Sequence, residues 1–341
     1  VLDKLNKSFY KLSHNYDYNN KDYTVKLLSK IEKEKIANAY DTGKEMKANI
    51  DKVILNPEIA TYDNYKWIAT FYKSKNTKTD IENYTKKLES FFDTLKHYSI
   101  KNTIPKSNVL IAIYLLNDYS IKEIAESLIK NCKYTEYVDY ILENAKDCNK
   151  LYENFDKAIE NEKYINKEYI AKIYYNFYLK LLDDKIYSKY LYYNFLYNKD
   201  VSNLIRLKNT SEFDFYINKM LQSTKDVIIR EKIYIFLDNK EELFKLLFNK
   251  DNEYRLMQNI EFLKDNYNDE LLKYFKERFY EVVAIEKSRD NYKKAATYIG
   301  AIYKLNDGER LVNELINELK SSEYSKRIAL FDEINNAITK D

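Results

Sequence analysis

Helix-breaking residues are scarce in this chain, which has only 3 Gly and 2 Pro among its 341 residues. Tight turns between strands need glycine for a positive φ or proline for a preset φ. Phosphate-cradling loops also depend on glycine. The scarcity therefore argues against a sheet protein and against nucleotide-binding loops, and it favours many helices joined by short polar links.

Cysteine and long apolar runs are also scarce. Cys132 and Cys148 are too few for a disulfide framework and too far apart for a Cys-x-x-Cys metal pair. The longest apolar run, from Val109 to Leu116, is much shorter than the ~20 residues that span a bilayer. We therefore expect reduced cysteines, a cytoplasmic location and no membrane span.

Groups that could carry catalysis are few. The chain has 2 His, and we interpret His14 as a helix-end residue and Asp93–His97 as a solvated i,i+4 pair. Gly43-Lys44 lacks the earlier glycine and the following Ser or Thr of a Walker A loop. The sequence therefore predicts a protein that is not an enzyme and that binds no metal or cofactor. The alternative, an enzyme of unfamiliar design, would require a concave pocket that contains clustered, strongly perturbed carboxylates or His97.

Neither sign of charge dominates, since 57 basic residues face 54 acidic ones for a net charge of +3. This balance gives no global argument for nucleic acid or an anionic membrane as a partner. Hydrophobic residues make up 45% and charged residues 33% of the chain, which predicts a packed core with a solvated face.

What the chain does contain is helical periodicity almost throughout. Between Ile121 and Ala145 two apolar stripes are separated by a break at Asn131–Lys133, which predicts an αα-hairpin. Ser120 and Glu123 predict a capping box at its start. The same spacing predicts further helix starts at two other places, Thr79 with Glu82 and Asp238 with Glu241.

The pattern is clear near the C-terminal end as well. Three apolar stripes are separated there by an Asn306-Asp307-Gly308 link and by Ser321–Ser322. The small pair Ala295–Ala296 predicts a close approach of two helices. The repeat length is irregular and fits no 34-residue consensus, so regular tetratricopeptide repeats are not supported.

These patterns predict an all-α fold, a right-handed α-α superhelix of irregular, TPR-like helix pairs. Pro57 and Pro105 each read as a helix stop and restart. We take Pro105 as the subdivision between a segment of longer helices, residues 1–105, and a continuous array of stacked hairpins, residues 106–341. The segment from Tyr23 to Ile54 is the clearest of the predicted longer helices.

Tyrosine is abundant, with 36 residues, and is densest between Tyr174 and Tyr197. On a helix these rings cannot all face one way, so some must be exposed or meet a second layer. One interpretation is a groove that binds a protein or peptide partner; the other is core between repeats, enriched in Tyr by AT-rich codons. For the groove we predict the contact residues Tyr174, Tyr178, Tyr187, Tyr190, Tyr193 and Tyr197.

Lysine lies close to tyrosine at several places, including Lys180 after Tyr178 and Lys189 beside Tyr190. Bases could stack on such rings while Lys meets phosphate. The balanced charge favours a solvated face over nucleic-acid binding. The second functional hypothesis is nevertheless a nucleic-acid-associated helical repeat that uses a Lys/Tyr face.

The segment from Ser288 to Ile334 resembles the C-terminal helical region of SWIM zinc-finger proteins. The resemblance covers at most the last hundred or so residues. It rests on Arg289, Tyr292, Ala295, Ala296, Leu305, Arg327, Ala329, Leu330 and Glu333. The family's Cys-x-Cys…Cys-x-His zinc site, thought to mediate DNA or protein contacts, does not occur in this sequence, so no metal ligands are carried over.

Because the first residue is Val1 and not Met, we treat the chain as a candidate fragment whose zinc finger would precede it. Together these observations predict a non-enzymatic helical scaffold for protein–protein interaction, the helical arm of a SWIM zinc-finger protein. A concave face would contact the partner around Tyr174–Tyr197.

Overall fold

The computed structural model describes residues 62–97, 104–162, 164–285 and 287–339. Within these ranges the chain forms 17 α-helices and one 3₁₀ turn, and no strand. The prediction of an all-α fold made of packed helix pairs is therefore confirmed for the described residues. The predictions made for His14, Gly43-Lys44, Pro57 and the segment from Tyr23 to Ile54 lie outside them.

The described residues divide into two compact units, those up to residue 198 with 206–212, and residues 199–205 with those from 213 onward. The first unit contains α1 (Tyr62–Lys75), α2 (Lys78–His97), α3 (Ile104–Leu116), α4 (Ile121–Lys130), α5 (Thr135–Asn144), α6 (Cys148–Asn161), α7 (Lys167–Leu181) and α8 (Asp184–Asn198). Helix α9 (Val201–Leu207) falls at the division. The subdivision at Pro105 stays a prediction, since residues 1–61 are not among those described.

In the first unit, a helix packs against the helix two positions later in the chain as well as against the one that follows it directly. Helix α1 packs on α3, α3 on α5, and α4 on α6, while α7 packs on α8. Alternate helices lie side by side in this way when helix pairs stack in layers. The shared core is apolar and fully buried at its centre, around Ile111, Leu128, Phe155 and Phe177.

The predicted hairpin within the first unit is confirmed, because α4 and α5 are separated by residues 131–134. Its capping box is present: the Ser120 backbone N–H donates to Glu123 Oε2 at 2.8 Å, and the Glu123 N–H donates to Ser120 Oγ at 3.3 Å. These two bonds satisfy amide groups that a helix start otherwise leaves without partners.

Two other predicted helix starts are wrong by one or two residues. Helix α2 begins at Lys78, two residues before the predicted start. The reciprocal capping bonds form between Thr77 and Asp80, not between Thr79 and Glu82 as predicted. In the second unit the helix expected to start at Asp238 begins at Lys240, because the Asn239 side chain accepts the Glu242 N–H at 3.1 Å.

The second unit contains α10 (Phe213–Ser223), α11 (Val227–Phe236), α12 (Lys240–Leu247), α13 (Glu253–Gln258), α14 (Ile260–Ile285), α15 (Arg289–Tyr303), α16 (Gly308–Lys320) and α17 (Ile328–Ile338). Helix α14 packs on α15, and α15 packs on α17. Helix α14 bends at Tyr267, whose backbone is not helical. The core is centred on Phe275, Phe279, Ile299 and Leu330, all fully buried.

A single carboxylate joins three elements of this unit. Glu253 accepts hydrogen bonds from the Tyr298 hydroxyl at 2.7 Å and the Tyr274 hydroxyl at 3.0 Å, and it forms an ion pair with Arg278. Burial alone would raise the pKa of Glu253, but these donors outweigh it and hold the pKa below its ordinary value. The carboxylate is therefore charged in the folded protein at neutral pH.

The predicted links at the C-terminal end are confirmed, with α15, α16 and α17 separated at residues 304–307 and 321–327. Gly308 starts α16 where the chain passes very close to α15. A Cβ added to it would lie 2.0 Å from the carbonyl oxygen of Tyr303, which no side chain permits. Gly300 differs, since its added Cβ would make an ordinary 3.7 Å contact with the Ala337 oxygen.

The residues behind the family resemblance have structural roles here. Ala295, Ala296 and Leu330 are buried in the core. The Arg289 guanidinium donates from Nε to Glu333 Oε1 at 2.7 Å, which ties α15 to α17. These five residues therefore contribute to the core and to one contact between helices of the second unit.

Several turns use left-handed backbone without glycine. Leu182, Lys199, Asp238 and Asp307 all have φ between 52 and 58 degrees, and each lies between two helices. Leu182 ends α7 in this conformation, donating its N–H to the Tyr178 carbonyl.

Candidate binding groove

Helices α7 and α8 form an antiparallel pair whose tyrosine rings meet in register. Tyr178 lies 4.7 Å from Tyr187 and Tyr175 lies 4.9 Å from Tyr190, between ring centroids. The same four rings also meet along each helix, since Tyr175 is in ring contact with Tyr178 and Tyr187 with Tyr190. We call Tyr175, Tyr178, Tyr187 and Tyr190 the tyrosine cluster; it is half-buried, with Tyr175 exposed.

The inner face of the same pair belongs to the core. Tyr174 is 1% exposed, and its ring stacks on that of Tyr193 at a centroid distance of 5.3 Å. The Tyr174 hydroxyl donates to Asp156 Oδ1 at 2.8 Å. The Lys189 ammonium forms an ion pair with the same carboxylate and lies 5.6 Å from the Tyr152 ring.

This network explains where the two inner tyrosines lie. Burial, followed by the negative charge of Asp156, raises the pKa of Tyr174, so its hydroxyl stays a donor at any ordinary pH. Burial tends to lower the pKa of Lys189, but the bond to Asp156 outweighs it and the pKa is raised. The prediction that Tyr174 contacts a partner is therefore wrong, because its ring and its hydroxyl are both buried in contacts with core residues.

A groove of about 380 Å³ opens beside the tyrosine cluster. Four segments contribute: the α4–α5 link, α5, α7 and α8. We call it the tyrosine groove, and its lining residues are Cys132, Thr135, Val138, Asp139, Glu168, Tyr169, Ala171, Lys172, Ile173, Tyr175, Asn176, Tyr190, Asn194 and Tyr197. Its volume lies within the range of pockets that take a small molecule or a few side chains of a peptide.

The predicted contact residues are placed in three ways. Tyr190 and Tyr197 line the tyrosine groove, whereas Tyr178 and Tyr187 lie beside it in the tyrosine cluster. Tyr193 is half-buried against Tyr174 and is held by the core. The structure thus brings four of the six predicted tyrosines to one surface.

The polar groups of the groove are mostly paired with one another. The Lys172 ammonium donates to Glu168 Oε1 at 2.7 Å and lies 5.2 Å from the Tyr169 ring. The hydrogen bond to Glu168 raises the pKa of the exposed Tyr197 hydroxyl. Asp139 accepts a hydrogen bond from Asn176 Nδ2 at 3.1 Å. The groove therefore carries two carboxylates against one ammonium group.

An exposed apolar stripe continues along α7 from the groove. Tyr175 is 40% exposed, Leu179 53% and Leu182 74%. Tyr175 and Leu179 are four residues apart and therefore lie on one face of α7, and Leu182 follows at the left-handed end of that helix. Leu179 and Leu182 were not predicted from the sequence, although the four-residue spacing of Leu179 from Tyr175 was a signal for a shared face.

A second cavity of about 400 Å³ lies elsewhere in the first unit, at the ends of α1, α3 and α5. Its charges are balanced, Lys73 and Lys146 against Asp118 and Asp147, and Lys73 is already paired with Asp118 at 2.6 Å. Its apolar lining is buried or half-buried. The tyrosine groove, with exposed apolar residues at its edge, is therefore the stronger candidate.

The described residues, 62–97, 104–162, 164–285 and 287–339, contain neither a metal-binding cluster nor a membrane-spanning helix. Across these ranges, no group of three or more His, Cys, Asp or Glu side chains is arranged to hold a metal ion. Likewise, none of the described helices combines the length and apolarity that crossing a membrane requires. The side chains of His14 and His97 are outside the description.

Comparison of the chain with protein-family models, curated proteins and solved structures gave no match.

Proposed function

We propose that this chain is a non-enzymatic helical scaffold whose first compact unit binds a protein partner through the tyrosine groove and the adjoining stripe on α7. The observation that carries the proposal is the row Tyr175, Leu179 and Leu182, exposed to solvent at the edge of a groove. Contiguous exposed apolar surface beside a concave site is typical of interaction surfaces.

The groove has the chemistry of a protein-binding site. Tyrosine supplies a large rigid ring with few rotatable bonds and a hydroxyl for hydrogen bonding, which is why it is frequent among the residues that dominate binding energy. The rings of Tyr175 and Tyr190 are already ordered by their mutual contact. Little conformational entropy is therefore lost when a partner covers them.

The charge of the groove favours a protein over a nucleic acid. Phosphate contacts require Lys or Arg, but Lys172 is paired with Glu168, and Asp139 adds another negative charge. The nucleic-acid alternative stays a prediction with a simple test. Salt-dependent binding of a single-stranded oligonucleotide at low ionic strength would support it.

The proposal is tested by affinity capture from cell extract with a paired set of variants. Leu179→Ser with Leu182→Ser removes the exposed stripe, and Glu153→Ser with Lys157→Ser changes two exposed residues of α6 as the control. We expect one or more proteins to bind the wild type and the control but not the stripe variant. Equal capture by all three, with equal thermal stability, would refute the proposed surface.

Membership of the SWIM zinc-finger family remains part of the proposal. It is supported by the resemblance alone, and the pairing of Arg289 with Glu333 shows only that two of its residues are in contact. A Cys-x-Cys…Cys-x-His pattern encoded upstream of Val1 would support it. Cytoplasmic location is likewise proposed, from two free cysteines whose pKa values are raised by burial, and cell fractionation tests it.

A further inference from the structure

We infer that the partner segment bound in the tyrosine groove is basic, with Lys or Arg side chains directed at Asp139 and Glu143 while its apolar side chains cover the stripe on α7. The inference rests on the proposed function and specifies the chemistry of the occupant. It follows from the charge distribution around the groove, together with the rings that line it.

Helix α5 forms one wall of the groove and is acidic. Its ten residues include Glu136, Asp139 and Glu143 and no Lys or Arg. Asp139 and Glu143 are four residues apart and therefore lie on the same face. Asp139 lines the groove, and both side chains are exposed.

These two carboxylates are not neutralised within the described part of the chain. Neither Asp139 nor Glu143 forms an ion pair with a described Lys or Arg; Asp139 receives only the amide hydrogen bond from Asn176. Glu168, which lines the groove from α7, differs because Lys172 neutralises it. Burial and then the charges of Glu143 and Glu136 raise the pKa of Asp139, so a cation placed beside it would relieve this repulsion.

The aromatic wall suits the same occupant. The Tyr175 and Tyr190 rings lie 4.9 Å apart with their planes at 45 degrees, and both line the groove. A guanidinium or ammonium group can be held over such a ring face. The chain itself places the Lys172 ammonium over the Tyr169 ring of the groove in this way, at 5.2 Å.

Charge complementarity also separates this occupant from others. A phosphorylated or otherwise acidic peptide would place its negative groups against Asp139 and Glu143, and so would nucleic acid or an anionic lipid surface. An uncharged apolar segment would cover Leu179 and Leu182 but leave both carboxylates without a cation. A basic segment satisfies the apolar stripe and the acidic wall together.

The test uses three fluorescein-labelled 12-residue peptides with Leu at positions 1, 4, 5 and 8. Their other positions are Lys with Ala, Gln with Ala, or Glu with Ala. Fluorescence anisotropy gives the affinity of each for the whole chain at low and at physiological ionic strength. We expect the Lys peptide to bind most tightly and the Glu peptide most weakly, with the difference reduced by salt.

Three variants assign the binding. Asp139→Asn with Glu143→Gln should weaken the Lys peptide about two- to fivefold for each carboxylate removed, and should leave the Gln peptide unchanged. Glu82→Gln with Glu153→Gln removes two exposed charges elsewhere in the unit that pair with no described Lys or Arg, and should change the affinity of neither peptide. Tyr190→Ala should weaken every peptide that binds, by about tenfold for the Lys peptide.

The outcomes distinguish the two levels of the proposal. If Gln and Lys peptides bind equally and both depend on Tyr190, the groove stands but the basic partner is refuted. If the Lys preference is the same in both double variants, the carboxylates of α5 are not responsible and the inference is likewise overturned. If no peptide's binding depends on Tyr190, the groove itself is refuted. Unchanged thermal unfolding of each variant excludes misfolding as the cause.

Discussion

Replacing Gly308 by alanine should destabilise the second compact unit, whereas the same replacement at Gly300 should not. The added Cβ at position 308 would lie 2.0 Å from the Tyr303 carbonyl oxygen and 2.7 Å from that of Ile302. Both are backbone atoms at the end of α15, so no side-chain rotation relieves the contact. The backbone itself must move, and the packing of α16 on α15 must change with it.

The magnitude follows from two opposing effects. Forcing extra atoms into a closely packed site costs about 1–3 kcal/mol. Alanine gains up to about 1 kcal/mol over glycine inside a helix, but only part of this at a first helical residue such as 308. The net expectation is a loss of about 1–2 kcal/mol for Gly308→Ala. At Gly300, inside α15, the contact is ordinary, so Gly300→Ala should gain about 0.5–1 kcal/mol.

Urea unfolding followed by circular dichroism and tyrosine fluorescence measures both values. Because the chain has two compact units, hydrogen exchange of α15 and α16 should accompany it, so that the loss is assigned to the second unit. Gly308→Ala should unfold at lower urea than wild type and Gly300→Ala at equal or higher urea. A Gly308→Ala protein as stable as wild type would refute the close approach, and equal losses at both positions would show that glycine flexibility matters instead.

Three further predictions concern polar groups. Asp156→Ala should lower the free energy of unfolding of the first unit by about 2–3 kcal/mol in urea, since it leaves the Lys189 ammonium and the Tyr174 hydroxyl without their acceptor. The pKa of Glu253 is lowered in the folded state, so its carboxylate stabilises the fold above the ordinary pKa of 4.5. This stabilisation is lost as the pH falls below 4.5 and the carboxylate becomes protonated. Thermal unfolding between pH 3 and 7 should therefore show a smaller acid loss in Glu253→Gln, and an unchanged profile would contradict the assignment. Asn239→Ala should cost about 1 kcal/mol in urea by removing the cap of α12, and no change would mean that the cap is dispensable.

Local periodicity predicted the helices well, because each apolar stripe reflects the face on which its helix packs. The break at Asn131–Lys133 separates α4 from α5 as expected. The first residue of a helix was harder to predict. For α2, both Thr77 with Asp80 and Thr79 with Glu82 have the three-residue spacing of a capping box. Which one is used depends on the packing of α2, and the sequence does not contain that information locally.

The candidate site was predicted only in part for a similar reason. The sequence indicated that the tyrosines of α7 and α8 could not share one face, but it did not tell which face was buried. Tyr174 is fixed inside by Asp156 and Lys189, which are 18 and 15 residues away along the chain. Leu179 and Leu182 were missed because leucine in a helix is normally a core residue, and only the packed structure shows them exposed.

The four left-handed turn residues give the scarcity of glycine a different meaning. The chain makes glycine-type turns at Leu182, Lys199, Asp238 and Asp307 without using glycine. Side-chain-bearing residues in this conformation carry strain of roughly 1 kcal/mol or more, least for Asp. A glycine at position 199 would relieve this strain, but it would also remove the 2.7 Å ion pair between the Lys199 ammonium and Asp226. The side chain that strains this turn therefore also contributes to its stability.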